Sequence, residues 1–152
     1  MALLQPGTQA PDFSLPDEDG RIHRLSELCA SGPVVVYFYP KDDTPGCTAE
    51  ACKFRDDYVD FVEHGARVVG ISSDGAEAHR AFKAKHGLPF TLLSDDNGAT
   101  ARAFGVKKLL GLVAGRATFV VDRECVVRFS FSSAINMHAH VNNALNALRE
   151  LR

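Results

Sequence analysis

The run VVVYFY, Val34 to Tyr39, narrows the choice of fold more than any other feature of the chain. Six consecutive apolar or aromatic residues leave no polar face, so the segment suits a central strand covered on both sides. Such a strand requires helices above and below it. Directly after it, PKDDTPGCTAEAC opens an amphipathic helix, with Thr44 a good N-cap and Pro45 suited to the first helical position. Cys47, Ala51, Phe54, Tyr58 and Phe61 recur at steps of four and three, which places them on one buried face of a single long helix. Glu50, Lys53, Asp57 and Asp60 lie off that face.

The rest of the chain repeats the alternation. DFSLPDEDGRIHRL predicts an N-terminal β-hairpin around an Asp19-Gly20 turn, and Ser26 is a possible cap for a short helix through Cys29. ARVVGIS reads as a strand, AEAHRAFKAKHG as a helix ended by Gly87, FTLLS as a short strand and GATARAFG as a short helix. ATFVVDRECVVRFSF predicts two strands joined by a tight turn at Asp122 to Glu124, and a last helix turns Val141, Leu145, Leu148 and Leu151 inward. No repeats or linkers interrupt the pattern. The expectation is one α/β domain over residues 1–152, with a central mixed sheet flanked by helices.

With 152 residues, 45% of them hydrophobic, the chain can bury a core without metal or disulfide staples. A net charge of −2 with scattered basic residues gives no footprint for nucleic acid or anionic lipid. No apolar run approaches the roughly 20 residues that span a bilayer, and the first residues lack the pattern of a secretory signal. A cytoplasmic location is therefore expected. In a reducing compartment, four cysteines point to reduced, metal-binding or catalytic thiols rather than a permanent disulfide framework.

Among them, Cys47 has the most telling surroundings. It falls in the first turn of a helix, near unpaired backbone N–H groups and the positive end of the helix dipole, where a thiolate is favoured. Cys52 follows five residues later. On an ideal helix that separation sets the two Cα atoms about 8 to 9 Å apart and on different faces. A disulfide spans no more than about 7 Å. If the two cysteines pair, the first turns of the helix must unwind, a motion that Gly46 would ease.

At these residues the sequence resembles the peroxiredoxins, whose active-site pattern of proline, three residues, threonine, two residues and cysteine is met by Pro40, Thr44 and Cys47. DDTPGCTAEACKFRD resembles the Q type, the bacterioferritin comigratory protein group, in which a second cysteine five positions on is common. PGTQAPDFSLPDEDG, GRATFVVDRE and HVNNALNALREL resemble the start, the arginine-bearing segment and the last helix of that family. The resemblance implies a thioredoxin-like fold and thiol-dependent reduction of hydrogen peroxide and organic hydroperoxides without a cofactor or metal. It makes Cys47 the peroxidatic cysteine, Thr44 and Arg116 its polar partners, Pro40 a shield for the pocket, Cys52 the resolving cysteine and Glu50 a group that orients the arginine. It also implies recycling by thioredoxin or glutaredoxin, while the sequence leaves open whether the chain is a monomer or a weak homodimer. The stretch LLGLVAGR before the arginine is unusually apolar and small, a departure at the pocket rim.

The bond-making can be argued independently of the family. A thiolate attacking a peroxide oxygen pushes negative charge onto the oxygen that leaves, so donors aimed at that charge matter as much as ionisation of the sulfur. Cys29 and Cys125 lack such surroundings and read as incidental thiols, either of which could substitute as a resolver. His138 and His140 read as exposed helix residues. The rival readings are a redox sensor with a protein client and a copper or zinc carrier using Cys47, Cys52 and a histidine, against which the cysteine spacing argues.

Overall fold

The computed structural model describes residues 2–109 and 113–151. An antiparallel hairpin opens it, β1 (Ser14–Pro16) paired with β2 (Ile22–Arg24), followed by helix α1 (Leu25–Ala30). Ser26 lies inside α1 rather than capping it. Its N–H and hydroxyl both donate to the carboxylate of Asp12, which supplies from outside the helix the acceptor expected of a cap residue.

Strand β3 (Val34–Phe38) comes next, entirely buried. The predicted long helix is two helices, α2 (Pro45–Asp56) and α3 (Tyr58–Glu63), because Asp57 leaves helical geometry at φ −96°, ψ 7°. Then follow β4 (Arg67–Ser72), α4 (Ala76–His86), β5 (Thr91–Ser94) and α5 (Ala99–Ala103). Gly87 ends α4 in the left-handed conformation at φ 59°, as a glycine stop does. A small hairpin, β6 (Lys108–Leu109) with β7 (Val113–Ala114), precedes β8 (Ala117–Val121), β9 (Val127–Ser132) and the closing helix α6 (Met137–Glu150). Leu110, Gly111 and Leu112 of the apolar LLGLVAGR stretch lie outside the described residues.

The main sheet has the order β5-β4-β3-β8-β9, with β3 in the middle. β3, β4 and β5 run parallel, β8 runs antiparallel to β3, and β9 antiparallel to β8, so the sheet is mixed as expected. The turn between β8 and β9 is longer than the predicted tight turn. It extends through Cys125, which sits at φ 61°, and the register shifts between Val120 and Val121.

Alternation along β3 divides the core. Val34, Val36 and Phe38 face one layer with Leu25, Leu28 and Cys29 of α1 and Phe104; Val35 and Tyr37 face the other with Cys47, Ala51 and Phe54 of α2, Phe61 of α3, Phe82 of α4 and Val141 and Leu148 of α6. This arrangement puts the cysteine-bearing helix on one side of the sheet and α1 on the other. Because Phe38 pairs with Ala117, the start of β8 lies beside the end of β3, where the chain turns into α2. Arg116 is thereby delivered to the beginning of the helix that carries Cys47.

Candidate active site

Thr44 is the N-cap residue of α2 and Pro45 opens the helix, as the sequence predicts. The Thr44 hydroxyl does not cap, however. It donates to the carbonyl of Lys41 at 2.8 Å, so its remaining capacity toward any other group is as an acceptor. Cys47 lies in the first turn with 1% of its surface exposed. Its Sγ accepts from Nη2 of Arg116 at 3.4 Å, and Nη1 of the same guanidinium donates to Oε1 of Glu50 at 2.6 Å.

The burial of Glu50 corrects the reading that placed it off the buried face. Three residues after Cys47, it stands almost above it on the helix, and Arg116 makes its burial tenable by pairing with it. Burial still pushes its carboxyl up to about 7, against the lowering effect of Arg116. Arg116 is itself buried, and the Glu50 and Cys47 charges outweigh its desolvation and hold it protonated. Gly46 has a role beyond easing helix unwinding: a Cβ there would stand 3.0 Å from Met137 Cε and 3.1 Å from Arg116 Nη2, so the missing side chain admits the guanidinium to the sulfur.

A cavity of about 170 Å³ opens at this end of the sheet, lined by Pro40, Lys107, Lys108, Gly115, Arg116, Ser132 and Ala134. Arg116 belongs to this lining as well as to the sulfur's shell, and so joins the two. Gly115 cannot be replaced cheaply, since an added Cβ would meet the carbonyl oxygen of Lys107 at 2.5 Å. Cys52 is half-buried further along α2, which is regular helix through both cysteines. All four cysteines are free thiols in the structure.

Three features of the site went unread in the sequence. His140 is fully buried, contrary to the expectation of an exposed residue, with Nδ1 2.8 Å from Thr118 Oγ1 and Nε2 2.8 Å from the Ser133 carbonyl. It also lies behind Glu50, with Nδ1 3.7 Å from Oε2. The signal was the run His140, Ala144, Leu148 at steps of four, which puts the histidine on the inward stripe of α6. His138 is exposed as expected.

The loop between β3 and α2 is pinned by a second buried set. Tyr39 donates to Asp42 Oδ1 at 2.5 Å, His79 Nδ1 lies 2.6 Å from Asp42 Oδ2, and His79 Nε2 meets the Leu93 carbonyl at 3.1 Å. The Asp42 N–H donates to Asp74, which also accepts from Ser72. Finally, Cys29 and Cys125 form a neighbouring pair on the opposite side of the sheet, where burial and then the nearby Cys125 push the Cys29 thiol up. From there neither can reach Cys47 without crossing the sheet, so the expectation that either could stand in as resolver does not hold for this fold. Among the described residues, no three His, Cys, Asp or Glu side chains gather as a metal site, and no helix is long and apolar enough to cross a membrane.

A buried first-turn cysteine held by a guanidinium, on a mixed sheet with helices on both faces, defines a thiol redox enzyme. Residues 6–130 match the AhpC/TSA family model. The chain is 46% identical over 149 residues to a chloroplastic peroxiredoxin Q of Oryza sativa subsp. japonica, covering 97% of this chain and 68% of that protein. Among solved structures, peroxidoxin BcpB of Mycobacterium tuberculosis is 43% identical with a TM-score of 0.91, covering 98% of this chain and 99% of that one. The bacterioferritin comigratory protein of Xanthomonas campestris, solved as trapped intermediate/ligand complexes bearing on its alkyl peroxide reduction activity, is 33% identical with a TM-score of 0.84, covering 99% and 98%.

The chain belongs to the AhpC/TSA family, among the Q-type peroxiredoxins. Its fold is thioredoxin-like and its activity is that of a thiol-dependent peroxidase.

Proposed function

We propose that Cys47 is the nucleophile that reduces the peroxide and that Cys52 resolves it. The observation that carries this reading is the 3.4 Å contact from Arg116 Nη2 to Cys47 Sγ, at the end of a guanidinium that also lines the cavity. The thiolate attacks one peroxide oxygen, the S–O bond forms as the O–O bond breaks, and the departing oxygen leaves as water or alcohol after taking a proton. Arg116 stabilises the sulfur before the step and the departing oxygen during it. Thr44, its own proton committed to Lys41, accepts from the O–H of the bound peroxide. Pro40 walls the cavity against water, and Glu50 holds Arg116 in place.

Cys47 is left as a sulfenic acid, which condenses with the Cys52 thiol to give a disulfide and water. An external dithiol, thioredoxin or glutaredoxin, then supplies the two electrons that restore both thiols. The alkyl peroxide reduction named for the Xanthomonas relative supports organic hydroperoxides alongside hydrogen peroxide as substrates. A reducing cytoplasm suits four cysteines in a chain that can bury its core without disulfides, and we place the protein there as a monomer or weak homodimer.

Stopped-flow oxidation of the wild type, Cys47→Ser, Cys52→Ser and Arg116→Met by hydrogen peroxide and by a bulky hydroperoxide tests the assignment. Cys47→Ser should be inert, and Cys52→Ser should be oxidised once but recycle slowly. Arg116→Met should lose about 10²-fold or more in peroxide rate, the scale of an oxyanion donor, while iodoacetamide alkylation of Cys47 falls far less. Equal losses in the two reactions would remove the transition-state role of Arg116.

A further inference from the structure

The carboxyl of Glu50 is partnered on one side only. Oε1 accepts from Arg116, whereas Oε2 is buried with no hydrogen-bond partner among the described residues, and Nδ1 of His140 lies 3.7 Å from it. An orphaned carboxylate oxygen in a fully buried position is costly. The histidine is equally constrained. Its Nε2 faces the Ser133 carbonyl, which can only accept, so Nε2 carries a proton. In a neutral ring Nδ1 is then an acceptor, and it takes the Thr118 hydroxyl at 2.8 Å.

Nδ1 has a single lone pair in that state, so the Thr118 hydroxyl and any proton on Oε2 of Glu50 compete for it, and Oε2 faces the ring with no donor of its own. One proton placed between them satisfies Oε2, as a carboxylic acid donating to Nδ1 or an imidazolium donating to Oε2, once the Thr118 hydroxyl turns from Nδ1 and the gap closes by about 1 Å to hydrogen-bond length.

Resting on the reading that Cys47 reacts and Arg116 serves it, we infer that His140 is a positioning residue of the peroxidase reaction: it shares one buried proton with Oε2 of Glu50, so that Glu50 grips Arg116 through Oε1 without cancelling the charge that Arg116 presents to the sulfur. With the proton present, one cation faces one anion, the Cys47 thiolate. Without it, Glu50 and Cys47 compete for a single guanidinium.

Every element packed around the pair is consistent with a proton held there. α2 contributes Cys47 and Glu50; the segment entering β8 contributes Arg116, and β8 itself Thr118. β9 places the Phe131 ring 4.8 Å from the imidazole, and β3 offers Tyr37, which burial keeps neutral and whose hydroxyl, like Oε2, is buried without a hydrogen-bond partner among the described residues. Burial and the charge of Arg116 oppose a free imidazolium at His140, while burial raises the Glu50 carboxyl to about 7, so the acid form is the natural carrier.

The sign follows. The proton is in place below about pH 7 and leaves as pH rises, so the peroxide rate of the wild type, divided by that of Glu50→Gln, should fall about tenfold between about pH 6 and about pH 8, the change in protonated fraction across such a midpoint.

The location of the proton is read directly on the reduced wild-type protein. Infrared spectra should show a buried carboxylic-acid C=O band at pH 6 that fades by pH 8 and is missing from Glu50→Gln. The ¹⁵N resonance of His140 Nδ1 should titrate with the same midpoint. Thr118→Val, which removes the hydroxyl competing for Nδ1, should move that shared midpoint upward. Separate midpoints, an ionised Glu50 at pH 6, or a flat rate ratio would overturn the inference while leaving Cys47 as the nucleophile. Peroxide reduction surviving in Cys47→Ser would instead overturn the reading beneath it.

Discussion

Residue by residue, the site shows what a helix pattern reveals and what it hides. The Thr44-Pro45-Gly46-Cys47 sequence marks a helix start by local chemistry alone, and the structure has α2 begin there. Glu50 was misread because a carboxylate looks solvent-facing until its cation is found, and that cation is 66 residues away in sequence. No local rule brings Arg116 to it; only the pairing of β3 with β8 does. The burial of Glu50 has a consequence for stability. Its folded pKa, about 7, lies above that of an exposed glutamate, so the native state binds the proton more tightly than the unfolded state. Stability from this group is fully present below the unfolded value and declines as pH rises toward 7. Urea melts of reduced wild type and Glu50→Gln at pH 5 and pH 7 should show a larger loss over that interval in the wild type. Parallel losses would mean that Glu50 is ionised throughout.

At the level of elements, α2 is anchored by aromatic packing toward its C-terminal end and by polar contacts at its start. Phe54 is fully buried and stacks on Tyr37 at 4.5 Å, with Phe61 at 5.5 Å and Phe90 at 6.2 Å, while Asp57 breaks the helix immediately afterwards. The first turns are held by Arg116, by the Asp42-His79 set behind the preceding loop, and by the burial of Cys47 and Ala51. A pairing of Cys47 with Cys52 must therefore melt the start of the helix against these contacts, while its aromatic anchor at Phe54 can stay in place. Hydrogen exchange should show amides 48–52 losing protection by about tenfold or more on oxidation, equivalent to about 1.4 kcal/mol, while β3 is unchanged. Unaltered protection of the first turns would mean that the disulfide does not form within this helix. The pattern of apolar residues foretold the elements well because each buries a continuous face. It missed the break at Asp57 since a polar residue on the outer face gives no sign of leaving helical geometry.

Across the whole molecule, the sheet works as a partition. Cys47, Cys52 and Glu50 of α2 and His140 of α6, with Arg116 at the entry to β8, form the proposed site on one layer, whereas Cys29 and Cys125 share the other. That division was legible in the fully apolar Val34 to Tyr39 run, but which cysteine fell on which side was not, because it depends on how α1 and the turn after β8 pack. Cys29→Ser with Cys125→Ser should leave peroxide turnover and Cys47–Cys52 closure unchanged. Its price is stability, about 1 to 3 kcal/mol for placing a hydroxyl at the fully buried position of Cys29, read from a denaturant melt. A loss of turnover in the folded double variant would show that the two layers communicate.

The most direct test of the central claim, that Arg116 and the start of α2 single out one sulfur for attack, is peptide mass mapping of the reduced protein after one equivalent of hydrogen peroxide. The peptide holding Cys47 and Cys52 should lose about 2 Da, as two thiols become a disulfide, with Cys29 and Cys125 still alkylatable. Oxidation confined to Cys29 or Cys125, with Cys47 recovered as a free thiol, would contradict it.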